Sequence, residues 1–334
     1  MFFKKTFIAA GLAVAVATGG AMAQTIAMAT DQQGTTFNTV GTGIATVVSA
    51  NSKLRVIVRP FAGPAAWVPL VNNGEAALGV MSASSAYQAF TGKNEAKTGY
   101  RNLRLIRSGS ASLQLGFAVR ADGPVRSFED LRGARVSSDF GGHLSIGNSL
   151  LASLKIAGLT WNDVVQVPVT GANDGIGALV AGRLDATWAS VGQPRAREAD
   201  TQIGIRFLSV PNKPEADTIY QEMVFPGANV SIASDGKAPG VIGETRLLSY
   251  DSYLISGADV ADARVTSMLE ALWKNSKDLY GIHPSMAGFT PENAVTSSPV
   301  LPYHPAAVEF YRARGVWGAA DDARQAKLIA EAAM

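Results

Sequence analysis

The sequence contains no cysteine. This excludes disulfide bonds, thiolate zinc sites, thiol nucleophiles and a lipid anchor on a terminal cysteine. Charged residues make up only 17% of the 334 residues, with 29 Lys and Arg against 27 Asp and Glu and no polybasic block, so nothing electrostatic suggests nucleic-acid binding. The hydrophobic fraction of 47% excludes extensive disorder, and the length indicates about two domains.

Motifs typical of catalysis or of cofactor binding are also missing. The three histidines, His143, His283 and His304, are far apart and lack metal-ligand spacing. There is no glycine-x-serine-x-glycine motif of a nucleophilic serine. The glycine pairs at 41–43 and 175–177 lack the third glycine of a dinucleotide-binding loop. We therefore expect a protein that is not an enzyme and has neither a metal ion nor a cofactor.

The amino terminus has the pattern of a secretory signal peptide. Lys4 and Lys5 precede an apolar stretch at 7–17, and Ala21-Met22-Ala23 forms a small-x-small cleavage signature before Gln24. The apolar stretch is shorter than the ~20 residues that a membrane span requires. We expect residues 1–23 to be removed on export, and without a lipid anchor the mature protein would be retained in a periplasm.

Beyond this segment, short apolar runs alternate with helical patterns, which is typical of a largely parallel α/β sheet. The sequence predicts strands at 25–30, 54–58, 77–81, 103–106 and 113–120, then a second α/β unit with strands at 135–138 and 186–189, and a late strand at 247–256. A helix, a glycine stop, an acidic turn and a buried strand occur once in each unit, at 73–81 and at 181–189. We expect a first lobe at 24–118, a second lobe at 119–246 and a return to the first lobe at 247–334.

Loops of small and hydroxyl residues precede four of the predicted helices. They lie at 34–36, 62–63, 82–84 and 141–143. The start of a helix offers unpaired backbone N–H groups and a positive dipole end, which suit an anion, and ligands of such sheets lie at the carboxyl ends of strands. One such loop would indicate only helix capping. Four loops distributed over two lobes predict an anion-binding site instead.

Several stretches together resemble the TAXI family, the periplasmic receptors associated with TRAP transporters. The most extensive runs through 115–122 and 127–136, and it is similar to the family's valine-arginine-alanine-aspartate segment and the following arginine-valine strand. Shorter similarities occur at the turn 73–76, at 192–194, and at the histidine-proline segment 302–307 with 310–312. The resemblance covers nearly all of the mature chain.

The resemblance implies a two-lobed type II periplasmic-binding-protein fold with an interlobe cleft, which delivers a small carboxylate to a TRAP-type membrane permease. The departures from the family fall on the cleft loops, at 35–38, at Ala77 and Ser84, where the family has aspartates, and at 141–145. The identity of the ligand therefore does not carry over. Loss of an acidic residue at Ser84 would make the cleft more favourable to an anion.

Individual residues allow two interpretations each. Arg107 follows the predicted strand 103–106, so it is either the main bidentate contact to a carboxylate or a surface arginine. Trp188 either lines the cleft or fills the core, and His143 either donates to the anion or caps its helix. Arg59 either contacts the ligand or is turned away by Pro60, and Phe37 and Phe61 either line the ligand site or belong to the core. His304 is expected to be structural. The candidate ligand-binding residues are Gly34, Thr35, Thr36, Phe37, Gly63, Ser82, Ser84, Arg107, Gly142, His143, Trp188 and Gln193.

The sequence thus predicts a monomeric periplasmic receptor that closes its cleft around a small organic anion, with no nucleic-acid partner. Two alternatives stay open. The receptor could serve an ABC importer or a sensor instead of a TRAP permease, or the chain could be an exported enzyme on a binding-protein scaffold.

Overall fold

The computed structural model describes residues 24–93, 97–236 and 238–333. The predicted signal peptide lies outside the described residues. One mixed sheet of ten strands runs through the molecule in the order β2-β1-β3-β10-β4-β7-β5-β6, with β8 paired to β4 and β9 paired to β10. The strands are β1 (Gln24–Thr30), β2 (Leu54–Pro60), β3 (Leu78–Ser82), β4 (Leu103–Arg120), β5 (Arg135–Ser138), β6 (Val165–Pro168), β7 (Ala186–Ser190), β8 (Ile205–Phe207), β9 (Asn229–Ala233) and β10 (Thr245–Gly257).

Helices follow most of the strands. They are α1 (Thr36–Asn51), α2 (Pro64–Asn72), α3 (Ala83–Thr91), α4 (Leu144–Ile156), α5 (Ala172–Val180), α6 (Pro194–Ile203), α7 (Ala216–Met223), α8 (Asp262–Lys274), α9 (Lys277–Tyr280), α10 (Pro305–Arg312) and α11 (Ala319–Ala332). Short 3-10 helices occur at Glu129–Leu131, Trp161–Asp163 and Pro284–Gly288. One face of α8 is buried core: Val265, Met268, Leu269 and Leu272 are at most 1% exposed.

Two long antiparallel strands connect the two lobes. β1, β2 and β3 are parallel to one another, and so are β5, β6 and β7, and the two groups form the sheets of the first and second lobes. β10 pairs with β3 at one end and with β9 at the other, while β4 pairs with β10 and then with β7. The chain therefore passes between the lobes within β4 and β10. Because both strands continue through both lobes, the boundaries at 118 and 246 stay a prediction.

The prediction of two separate strands in the region of β4 is wrong. Two strands were expected, at 103–106 and 113–120, but the structure has a single strand of 18 residues. The intervening residues 107–112 are polar or small, and hydrophobic patterning alone does not identify them as a strand. The backbone of Arg107, Ser108 and Gly109 pairs with β10, and the register shifts between Tyr250 and Ser252 before pairing resumes at Leu113.

Candidate functional site

Two adjoining cavities lie where the lobes meet, at the carboxyl ends of β1, β3 and β7. We call the first the central cavity; it encloses about 510 Å³ of empty space that includes an opening to solvent. Its lining residues are Asp31, Thr35, Thr36, Phe37, Ser82, Ser85, Leu113, Leu115, His143, Ser145, Ile146, Ala172, Trp188, Ala189, Ser190, Gln193 and Tyr250. The second, the side cavity, shares Ser85, His143 and Ser145 with the first and extends to Gly142, Gln88 and Tyr100.

The starts of four helices converge on the central cavity. Thr35 caps α1 by accepting a hydrogen bond from the backbone N–H of Asn38, and Ser82 caps α3 by accepting one from Ser85. On the second lobe, α4 begins after His143 and α6 begins after Gln193. Two positive dipole ends from each lobe therefore point toward the same space, an arrangement that favours a negatively charged group.

Direct hydrogen bonds join the lobes around the cavity. Thr36 Oγ1 lies 2.6 Å from Ser190 Oγ, and Ser85 Oγ lies 2.8 Å from Ser145 Oγ. At the rim, Asn173 Nδ2 donates to the carbonyl of Gln33 at 2.7 Å. These contacts join α1, α3 and the loop before α1 in the first lobe to β7, α4 and α5 in the second. The structure is therefore that of a closed cleft.

A buried carboxylate lies in the central cavity. Asp31 is the first residue after β1, is 3% exposed, and accepts a hydrogen bond on Oδ1 from Trp67 Nε1 at 3.1 Å. Burial raises the pKa of the Asp31 carboxyl, and the charge of His143 and the bond from Trp67 oppose that rise. Asp31 lies between β1 and the predicted binding loop at 34–36, so it was not among the predicted site residues.

Two buried donors lining the cavities have no hydrogen-bond partner among the described residues. They are Trp188 Nε1 in the central cavity and Gln88 Nε2 in the side cavity. A buried N–H group that makes no hydrogen bond costs about 1–3 kcal/mol. Acceptor atoms of a bound molecule would remove this cost, because each nitrogen can donate to a carboxylate or a carbonyl oxygen.

The structure brings most of the predicted site residues together. Thr35, Thr36, Phe37, Ser82, His143, Trp188 and Gln193 line the central cavity, and Gly142 lines the side cavity. Gly34 and Gly63 lie beside these residues. A Cβ at Gly63 would lie 2.6 Å from His143 Nε2, and Gly34, with φ of +84°, packs against Asn173. Both glycines thus allow the two lobes to approach closely.

Arg107 and Ser84 do not lie in the site. The Arg107 side chain is 0% exposed and donates to the backbone carbonyls of Leu272 and Phe289 within the first lobe. It is neither the predicted anion contact nor a surface arginine. The reason is that β4 does not end at Ile106, so Arg107 is an interior strand residue. Ser84 lies in the first turn of α3 but is 0% exposed and does not line the cavities. Ser82, at the end of β3, and Ser85, one helical position further along, line them instead.

The histidines have three different environments. His143 precedes α4 without capping it through its side chain, so its ring contributes to both cavities. His304 caps α10, with Nδ1 accepting from Ala306 N and Nε2 bonded to the carbonyl of Val260, in agreement with a structural role. His283 Nε2 lies 3.5 Å from Thr36 Oγ1, and burial is the main cause that lowers the pKa of His283 to about 4.

Sequence reasoning missed the polar residues next to the predicted ones. Asp31 follows β1 directly, Ser190 ends β7, and Ser85 and Ser145 lie in the first turns of α3 and α4. A signal was present for each of them, because residues at the carboxyl ends of parallel strands and in the following helical turn meet at one edge of the sheet.

The aliphatic side of the lining comes from the crossing strand and the second lobe. Leu113 and Leu115 of β4 and Ile146 of α4 line the central cavity.

Within the described ranges, no group of three or more histidine and acidic side chains is arranged to hold a metal ion. The part of the chain covered by the structure also has no helix that is both long and apolar enough to cross a membrane. The site therefore offers hydrogen bonding and one buried carboxylate to a small molecule.

Comparisons with known proteins identify a family and a fold. A sequence model of the NMT1-like family matches residues 28–315. A solved structure described as a periplasmic transporter superposes with a TM-score of 0.53 at 14% identity, covering 92% of this chain and 98% of that chain. The aliphatic sulphonate binding protein SsuA of Escherichia coli gives 0.45 at 16% identity over 90% of this chain and 97% of its own. A TctC solute binding protein from Polaromonas gives 0.43 at 14% identity over 93% and 96%. At these identities the likeness concerns the fold, which is that of two-lobed periplasmic binding proteins.

Proposed function

Since the chain belongs to the NMT1-like family and has the two-lobed fold of periplasmic binding proteins, we propose that it is a receptor for a small organic carboxylate. The receptor captures the solute between its lobes and delivers it to a membrane permease. The closed form is favoured by the contacts that the solute makes with both lobes at once, and the permease recognises that form.

The observation that carries this proposal is the convergence of four helix starts on one cavity. Thr35 and Ser82 from the first lobe, and His143 and Gln193 from the second, stand at these starts and line the central cavity. Backbone N–H groups at helix starts bind carboxylates without a positively charged side chain. The unpartnered Trp188 Nε1 supplies a further donor. Because Arg107 does not line the cavities, backbone and indole donors take in this proposal the role first assigned to its guanidinium.

The permease is of the TRAP type in this proposal, on the basis of the sequence resemblance to the TAXI receptors. The receptor would work in the periplasm after removal of residues 1–23. Amino-terminal sequencing of protein released by osmotic shock should begin at Gln24. A chain that keeps its first 23 residues and sediments with membranes would contradict periplasmic release.

The ligand class is tested by a thermal-shift screen of organic acids, followed by calorimetric titration of each acid that stabilises the protein. We expect carboxylates to raise the melting temperature and to be recovered chemically unchanged. Stabilisation only by neutral or cationic solutes would overturn the carboxylate assignment, and turnover of a bound acid would support an exported enzyme. Uptake of the identified acid by vesicles carrying the candidate TRAP permease, with and without this receptor, separates it from an ABC importer.

A further inference from the structure

Asp31 is a buried carboxyl group for which folding alone gives no reason. It is 3% exposed, directly follows β1, and lines the central cavity beside Thr36 and Ser82. Among the described residues that line the two cavities, it is the one that carries a carboxylate. Burying an ionised carboxylate is costly unless it is paired and hydrogen-bonded. Such a residue in a binding cavity therefore requires a specific partner.

The contact with Trp67 does not require a charge. Trp67 is 0% exposed, so its indole N–H needs an acceptor, and Asp31 Oδ1 provides it at 3.1 Å. The carbonyl oxygen of an asparagine would satisfy the same donor. A carboxylate can accept about four hydrogen bonds in total, so the bond from Trp67 uses only a part of its capacity.

Charges near Asp31 are few. His143 of the second lobe acts on the carboxyl through its charge. None of the described residues that line either cavity is a lysine or an arginine. A solute that carried only a carboxylate would therefore bring a second negative charge beside Asp31. A solute that also carried a hydrogen-bond donor would pair with it.

We propose that Asp31 is a specificity-determining residue that accepts a hydrogen bond from a hydroxyl or ammonium group of the bound carboxylic acid. The acid group of the solute lies at the helix starts, and its donor group points toward Asp31. This inference rests on the proposed function, because it assumes a carboxylate ligand. It adds that unsubstituted acids are rejected, since their binding would leave the buried Asp31 carboxylate unpaired.

The test is calorimetric titration of the full-length mature protein with succinate, malate and aspartate, together with propylamine as a donor without a carboxylate. We expect the substituted acids to bind about tenfold or more tightly than succinate. In Asp31→Asn the preference for malate should fall to within about threefold, because succinate no longer leaves a buried carboxylate unpaired. A small preference remains, because the amide oxygen still accepts from the hydroxyl of malate. The preference for aspartate should fall further if its ammonium is the recognised group, because the charge of Asp31 is lost.

Trp67→Phe is the matched control. It removes the indole donor and leaves the Asp31 carboxylate in place, so it should retain the preference for substituted acids. An unchanged preference in Asp31→Asn would show that Asp31 serves only Trp67 and would overturn the inference. Equal binding of succinate and malate by the wild-type protein would overturn it while the proposed function stands. Binding of propylamine without any of the acids would overturn the carboxylate ligand instead, and binding of none of the four would contradict both.

Discussion

The hydrogen bond between Ser85 and Ser145 should contribute to ligand affinity although it joins two parts of the protein. The two hydroxyl oxygens are 2.8 Å apart, one in the first turn of α3 and the other in the first turn of α4. Because these helices belong to different lobes, the bond exists only when the cleft is closed. A ligand that closes the cleft therefore binds more tightly by the free energy of this hydrogen bond.

The magnitude follows from the environment of this bond. Both serines are buried, at 8% and 5% exposure, and a neutral hydrogen bond contributes about 0.5–1.5 kcal/mol net. Expressed as Kd, this is a factor of about 2 to 13. Single replacements by alanine would combine this loss with any direct contact to the ligand, since both residues line the cavity. A double-mutant cycle isolates the coupling between them.

The assay is calorimetric titration of wild type, Ser85→Ala, Ser145→Ala and the double variant with the carboxylate found by the screen. We expect a coupling of about 0.5–1.5 kcal/mol in the binding free energy. The control is the cycle of Ser153→Ala and Tyr220→Phe, whose hydroxyl groups are also buried and 2.8 Å apart but lie in α4 and α7 of one lobe.

That control cycle should show coupling in the free energy of unfolding and none in Kd. Coupling below about 0.3 kcal/mol for the Ser85 and Ser145 pair would mean that the bond is absent from the bound form. Equal coupling of both cycles in Kd would mean that stability, and not closure, is being measured. Either result would refute the argument from the closed cleft.

Four further predictions concern single residues. Ligand binding should change intrinsic fluorescence through Trp188, whose ring packs against Phe117 at 5.5 Å, and Trp188→Phe should remove most of the change; a response that survives would assign the signal to another tryptophan. Arg107→Ala should leave Kd within about twofold but lower the free energy of unfolding by about 2–5 kcal/mol, since two carbonyls lose a donor; a large loss of affinity in titration would return Arg107 to the site. Since the pKa of His283 is lowered from 6.5 to about 4, its contribution to the free energy of unfolding should be fully present above pH 6.5 and fall by up to about 3 kcal/mol toward pH 4. Denaturant unfolding of His283→Gln should lack this part of the pH dependence. Because burial raises the pKa of Asp31, the wild-type protein loses stability as the pH rises through the folded pKa of this carboxyl. Without ligand, Asp31→Asn should therefore unfold at a higher temperature than wild type at pH 7, and this difference should disappear near pH 3.

The parts of the fold that were predictable are those in which local signals agree. β5 has the predicted bounds, β1 and β7 differ from the prediction by one residue at one end, and β3 is shifted by one residue, because each is a short apolar run that leads into a helix. The convergence of the cleft loops also followed from the rule that ligands lie at the carboxyl ends of parallel strands. Most of the candidate site was therefore accessible from the sequence.

The errors arose where tertiary context decides the orientation of a side chain. Arg107 was placed at the end of a strand that in fact continues, because the pairing with β10 is invisible in a local window. Ser84 was chosen from a loop of similar residues, although Ser82 at the end of β3 and Ser85 in α3 are the ones that line the cavity. Asp31 was not among the predicted residues, because the loop selected after β1 begins at Gly34. Its hydrogen-bond partner, Trp67, lies 36 residues away in the sequence.

Asp31 and Arg107 show why burial of a charged side chain does not by itself indicate a binding site. Arg107 donates to two main-chain carbonyls of the first lobe, so the fold itself uses its guanidinium. Asp31 lines a cavity at the contact between two lobes, where an asparagine would serve Trp67 equally well. The cost of keeping Asp31 charged falls on the free protein, and it is offset only by a ligand that brings a donor. A residue that lowers the stability of the free form in this way is expected where binding, and not folding, determines the side chain.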